Sequence, residues 1–218
     1  MSPPALKLST SSLLLVLAGS ATDAIMILAF NVLTAAQTGN TILFAVAVAK
    51  GDLVTGLSSA ISIATFLAGA IVGSRFCHQA RPIVALILQM ALLSIALGLW
   101  LAGGKAEPGA FSANILVALA AASMGLQSAV TIHLHGQPGT YITGLLTNFA
   151  VSLGATKLSS SLPVSAQGLV WLLYLAGAIV SGLLFLAFGP LALLVPIAAL
   201  AGSSVHLARH GQSNLPDS

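Results

Sequence analysis

Apolar residues come in long runs separated by short polar breaks. Six runs reach the length of about 20 residues needed to cross a hydrocarbon core some 30 Å thick. They are Ser12 to Thr34, Leu53 to Phe76, Pro82 to Ala102, Phe111 to Ile132, Val164 to Phe188 and Pro190 to Leu207. Two further apolar stretches, Asn40 to Lys50 and Thr143 to Lys157, would reach only about 16 and 22 Å as helices. Each follows a polar, glycine-containing lead-in. The first is Gln37-Thr38-Gly39-Asn40; the second is Gly136-Gln137-Pro138-Gly139-Thr140 leading to Thr143-Gly144. The pattern predicts an all-α polytopic integral membrane protein with about six transmembrane helices, two short broken or re-entrant helices, and polar tails over 1–11 and 208–218. Lys7, Leu13 to Ala18 and Ala18-Gly19-Ser20-Ala21 mimic a signal peptide. The apolar pattern continues to Thr34, so a retained first span is expected.

The chain also repeats itself. Leu67-Ala68-Gly69-Ala70-Ile71-Val72 recurs as Leu175-Ala176-Gly177-Ala178-Ile179-Val180, a shift of 108, and Pro82 falls on Pro190 at the same shift. Upstream, Thr38-Gly39 falls on Thr143-Gly144 at a shift of 105, and Asp23 lies one residue off that shift from Gln127. The ordered set predicts two duplicated halves, 12–102 and 111–207, each with three spans and one short helix. An odd number of crossings per half would invert the second copy. Gly69 with Gly73, and Gly177 with Ser181, are small-residue pairs of the kind that let helices pack closely. Packing inside one protomer is the expected use, with a homo-oligomer contact as the alternative.

Composition narrows the class further. The 218 residues are 57% hydrophobic and carry 7 Lys+Arg and 4 Asp+Glu, far below the roughly 25% charged of a soluble domain. No stretch can form a separate soluble catalytic or nucleic-acid-binding module, and the expected partner is the lipid bilayer. The net charge of +3 comes from isolated Lys and Arg at segment ends, which read as topology signals. With six spans, Lys7, Arg75, Arg81, Lys157 and Arg209 share the side of the N-terminus against Lys50 and Lys105, which predicts cytoplasmic termini. An eight-span count gives the same bias, so length decides for six. The single cysteine, Cys77, excludes an internal disulfide.

Asp23 is the only acidic residue within the six runs. A carboxylate near the bilayer midplane is costly, about 2.5–3.5 kcal/mol, and usually marks a pathway or relay. Gln127 is expected to face it across the pseudo-symmetry axis. The Thr-Gly lead-ins place unpaired amides and the positive end of a helix dipole inside the membrane. Gln37, Thr38, Gly39, Asn40, Thr41, Thr143, Gly144, Thr147 and Asn148 would make a polar, mostly uncharged lining there. Helix capping is the alternative role for Thr38 and Asn40. His133-Leu134-His135 and the His206/His210 pair have no carboxylate or cysteine beside them, so neither metal nor other cofactor is expected. No hydrolase, P-loop or metalloprotease pattern occurs, and the chain is not expected to be an enzyme.

Several of these residues carry a resemblance. Asp23-Ala24, Phe30, Thr38-Gly39-Asn40-Thr41, Phe66-Leu67-Ala68-Gly69-Ala70, Met124-Gly125-Leu126-Gln127 and Thr143-Gly144-x-x-Thr147 resemble, in this order, the YoaK family of bacterial multi-pass membrane proteins. The resemblance covers nearly the whole chain and implies a protein of the bacterial cytoplasmic membrane, in a family labelled as a domain of unknown function. The second box departs from the first, since Asn148 is not adjacent to Gly144. The reading expected from the residues is a small-solute transporter or channel, for a polar or anionic solute, with Asp23 as a proton or cation coupling site. The alternative is a non-transporting scaffold or accessory subunit acting through a partner protein.

Overall fold

The protein is described from a computed structural model covering residues 9–104, 106–135, 142–154 and 164–210. Lys7, Lys105, Lys157, the lead-in over Gly136 to Thr140 and the outer parts of both tails lie outside the described residues, as do the side chains of His135 and His210. The described residues form α1 (Thr10–Phe30), α2 (Gln37–Lys50), α3 (Leu53–His78), α4 (Pro82–Gly103), α5 (Phe111–His135), α6 (Ile142–Gly154), α7 (Val164–Phe188), a 3-10 turn over Gly189–Leu193, and α8 (Leu194–His210). No strand occurs among them. Five stretches are long and apolar enough to cross a membrane, and the last, Val164–Arg209, contains 46 residues. As one straight helix it would run to about 70 Å, twice a bilayer core.

Side-chain contacts fix the direction of each crossing. The Ser58–Asn114 hydrogen bond and the seating of Gly73 on Ala129 run α3 parallel to α5. Gln89 donates to Gln127, and Gln127 donates to the Leu15 carbonyl, near the starts of α4 and α1 and toward the end of α5. At the other face, Trp100 packs between Phe30 and Phe185 at ring-centroid distances of 5.0 and 5.8 Å. Ser203 donates to the Ser11 carbonyl, so α8 returns to the side where α1 begins. The chain reverses at Gly189, whose φ of +58° suits glycine. Six crossings result, α1, α3, α4, α5, α7 and α8, with the start of α1 and the end of α8 on one side, the terminal side.

The pattern of burial is that of a bundle in lipid. Leu67, Ile71, Leu175 and Ile179 are exposed, whereas Ser59, Ser62, Gln89, Gln127 and Ser181 are buried. Without water outside, apolar side chains face lipid and polar ones turn into the bundle. The two copies of the repeated hexapeptide sit alike, with Gly69 and Gly177 inward. A Cβ at Gly69 would strike the backbone of Ala122, and one at Gly177 would strike Leu17 and Ser20. Leu17 and Ala122 are themselves 105 positions apart. Helix α3 thus crosses α5 as α7 crosses α1, and α4 packs on α5 as α8 packs on α1. Both short helices lie on the third helix of their own half, α2 on α3 and α6 on α7.

Helix α1 stops at Phe30, four residues short of the predicted Thr34. Asn31 takes the left-handed conformation (φ 55°) and closes the helix with its amide on the Ile27 carbonyl. The physical reason lies downstream: the amides of Thr34, Ala35 and Ala36 bond to the Asp23 carboxylate. Asp23 stands seven residues before Phe30, so the chain turns back by about 10 Å into the bundle before α2 begins.

Candidate functional site

The first broken helix is built around two buried polar side chains. Asp23, 4% exposed, receives the amides of Thr34 and Ala35 on Oδ1 at 2.7 Å each and the Thr34 hydroxyl at 3.1 Å. Its Oδ2 receives the Ala36 amide at 3.1 Å and the Tyr174 hydroxyl at 3.4 Å. Three loop amides that no backbone carbonyl satisfies are thereby paired inside the membrane, where an orphan costs several kcal/mol. Among the described residues no cation pairs with this carboxylate.

Asn40 does the corresponding work one turn into α2. It is fully buried, accepts the Leu33 amide at 3.0 Å, and donates to the Leu33 carbonyl, Gln37 Oε1 and Ser62 Oγ. Gln37 in turn donates to the Thr34 carbonyl at 2.8 Å. Leu33 thus has both its backbone amide and its carbonyl held by one side chain. Thr41 and Thr147 donate to the carbonyls of Gln37 and Thr143, each four residues back, a common arrangement of helical threonine. Gln127 is not brought to Asp23: it sits between Gln89 and the Leu15 carbonyl at 2.8 Å each.

A cavity of about 850 Å³ lies where the two short helices begin. Gln37, Thr38 and Gly39 from the start of α2 and Thr143 from the start of α6 share its wall. Its apolar surface includes Leu33, Phe66, Ala70, Ile132 and Ile142; its hydroxyls are those of Thr38, Ser74, Ser128, Thr143 and Tyr174. His78 and His133 stand in the part nearest the ends of α3 and α5, the side where α1 starts and α8 ends. No acidic side chain, lysine or arginine lines it among the described residues. A volume of this size accepts a small organic molecule, and apolar walls with a few placed polar groups are the usual make-up of such a site.

Of the residues singled out in the sequence, Gln37, Thr38, Gly39 and Thr143 reach the cavity. Asp23 and Asn40 act behind it through hydrogen bonds to lining residues such as Ala35, Tyr174, Leu33 and Gln37, whereas Gln127 bonds Gln89 and Leu15, neither of which lines it. Gly144 is buried at the start of α6, Asn148 is half-buried one turn further on, and Thr41 and Thr147 face outward. Sequence reasoning overlooked Tyr174, which both lines the cavity and touches Asp23. A signal was present: at the shift of 108, Tyr174 falls on Phe66, which lines the same cavity. Among the described residues no group of three or more metal-ligating side chains gathers.

A family model described as "Protein of unknown function (DUF1275)" matches residues 11–206. No curated protein and no solved structure matches the chain.

Proposed function

The chain belongs to the DUF1275 family of proteins of unknown function, and we propose that it is a small-solute transporter or channel whose site is the cavity between its two broken helices. One observation carries the reading: both Thr-Gly segments, far apart in sequence, contribute to the wall of one partly open cavity of about 850 Å³. Secondary transporters build their sites this way, from interrupted helices at the junction of two inverted halves. The bacterial cytoplasmic membrane is the proposed location. Arg75, Arg81 and Arg209 on the terminal side, against Lys50 opposite, support cytoplasmic termini and a cavity mouth facing the cytoplasm. Asp23 anchors the loop over 31–36, and a coupling proton would reach it through the Tyr174 hydroxyl, which joins the carboxylate to the cavity.

The test is a thermal-shift panel on the detergent-purified protein with small acids, sugars, amino acids and amphiphilic amines, followed by flux of any hit in proteoliposomes. A ligand of the native state raises the midpoint with concentration. The reading expects a hit whose effect falls in Thr38→Val and Thr143→Val and which crosses protein-containing vesicles faster than empty ones. A hit insensitive to both changes, or a panel without any hit, would favour the scaffold role instead.

A further inference from the structure

The two halves differ at one place that bears on what the cavity takes. At the shift of 105 that lays Thr38-Gly39 on Thr143-Gly144, Asp23 falls on Ser128. The first half therefore supplies its own carboxylate beneath the start of its short helix, and every one of the three amides there is taken by it. The second half has a serine instead. Ser128 is 8% exposed, lines the cavity, and its hydroxyl has no hydrogen-bond partner among the described residues. The oxygen is not sealed within the bundle but faces the cavity, where a bound solute can reach it. Thr143, in the first turn of α6, lines the same cavity with an exposed side chain. The positive end of a helix dipole lies there.

We propose that the cavity binds an apolar-bodied monocarboxylate, whose carboxylate is held by the Ser128 and Thr143 hydroxyls at the second-half counterpart of the Asp23 position. The body of the ligand lies against Phe66, Ile132 and Ile142, which supply apolar contact on the same wall. The first half has no vacancy for an anion, because Asp23 fills it. His78 and His133 stand near the mouth, and no acidic side chain lines the wall, among the described residues, to repel the ligand. This inference rests on the cavity being a solute site, as proposed above.

Benzoate, its neutral isostere benzamide, octanoate and inorganic phosphate are the probes, titrated into the detergent-purified full chain by thermal shift. Benzoate or octanoate is expected to raise the midpoint at concentrations at least about tenfold below benzamide, and phosphate to have no effect at the same concentrations. Which of the two carboxylates binds tighter tells a compact acid from a chain-like one. Ser128→Ala should weaken the carboxylate about tenfold, the loss of one hydrogen bond to a charged group. Ser128→Asp places a carboxylate in the site and should abolish the response to benzoate; if it does not fold, Ser128→Ala and Thr143→Val carry the test. Benzamide binding as tightly as benzoate, phosphate competing with both, or Ser128→Ala leaving benzoate unchanged overturns the proposal. Hits confined to sugars or amines overturn it while the transporter reading stands, and a panel without hits overturns both.

Discussion

Replacing Asp23 by Asn keeps the shape of the side chain and removes its charge, and the hydrogen bonds around it fix what should follow. An Asn oxygen can still accept the amides of Thr34 and Ala35, each 2.7 Å from Oδ1 in the parent protein. Its NH2 group then faces the Ala36 amide, a donor against a donor. Losing charge assistance on two bonds costs about 1 kcal/mol each, and leaving a buried amide without an acceptor adds about 1–3 kcal/mol. The sum, about 3–5 kcal/mol, is a large part of a typical folding free energy of about 5–15 kcal/mol. Asp23→Ala leaves all three amides without a partner and should cost more. The assay is unfolding by SDS in mixed micelles, with amide hydrogen exchange over residues 31–40 as the local readout. Asp23→Asn should lower the unfolding free energy by that amount and raise exchange at Thr34, Ala35 and Ala36 ahead of α3. A change under about 1 kcal/mol, less than one such hydrogen bond, with exchange at those amides unaltered would refute the anchoring role.

Other perturbations have equally definite outcomes. Gly69→Ala puts a methyl into the Ala122 backbone, which cannot yield as a side chain could, and should destabilise by about 1–3 kcal/mol as overpacking does. Gly98→Ala in α4 meets nothing within 4 Å and should instead stabilise by about 1 kcal/mol through helix propensity; the same SDS titration separates the two. On the side opposite the termini, Thr55 donates to the Asp52 carboxylate at the start of α3 and holds its pKa below the usual value. A carboxylate depressed in the folded state contributes stability above its unfolded value of about 3.9, and that contribution fades as pH falls through the folded value. Melting of Asp52→Asn should therefore trail the parent protein at neutral pH, and the gap should close on acidification; a gap that persists at the lowest pH contradicts the assignment.

What the sequence discloses, and what it hides, follows from the range of each interaction. Span lengths and the two short stretches depend on local composition, and they are visible as runs; α2 and α6 are 14 and 13 residues long. The repeat is visible because close helix crossings need small residues at fixed positions, hence Gly69 and Gly177. The end of α1 is not, because nothing between Phe30 and Thr34 is polar enough to break a helix except Asn31. What ends it is a carboxylate that draws in amides eleven to thirteen residues away. Asp23 is conspicuous as a lone acid in an apolar run, yet its partners are chiefly backbone groups, which carry no sequence signature. The same holds for Asn40, whose clasp on Leu33 is a backbone contact. Gln127 lies one residue off the shifted position of Asp23, which suggests a facing pair; the fold instead gives it Gln89 from α4, a residue to which the repeat offers no guide.

The claim on which the rest depends is that the starts of the two broken helices face one cavity reached from the side of the chain termini. Cysteine accessibility measures it directly. In a Cys77→Ser background, Thr38→Cys and Thr143→Cys would be exposed in turn to a small membrane-impermeant thiol reagent, in sealed vesicles of each orientation. The account predicts that both positions react from the terminal side and neither from the other, and that a ligand found by thermal shift slows both reactions together. Reaction from opposite sides, or none at either position while a Ser74→Cys variant reacts, would contradict a shared cavity.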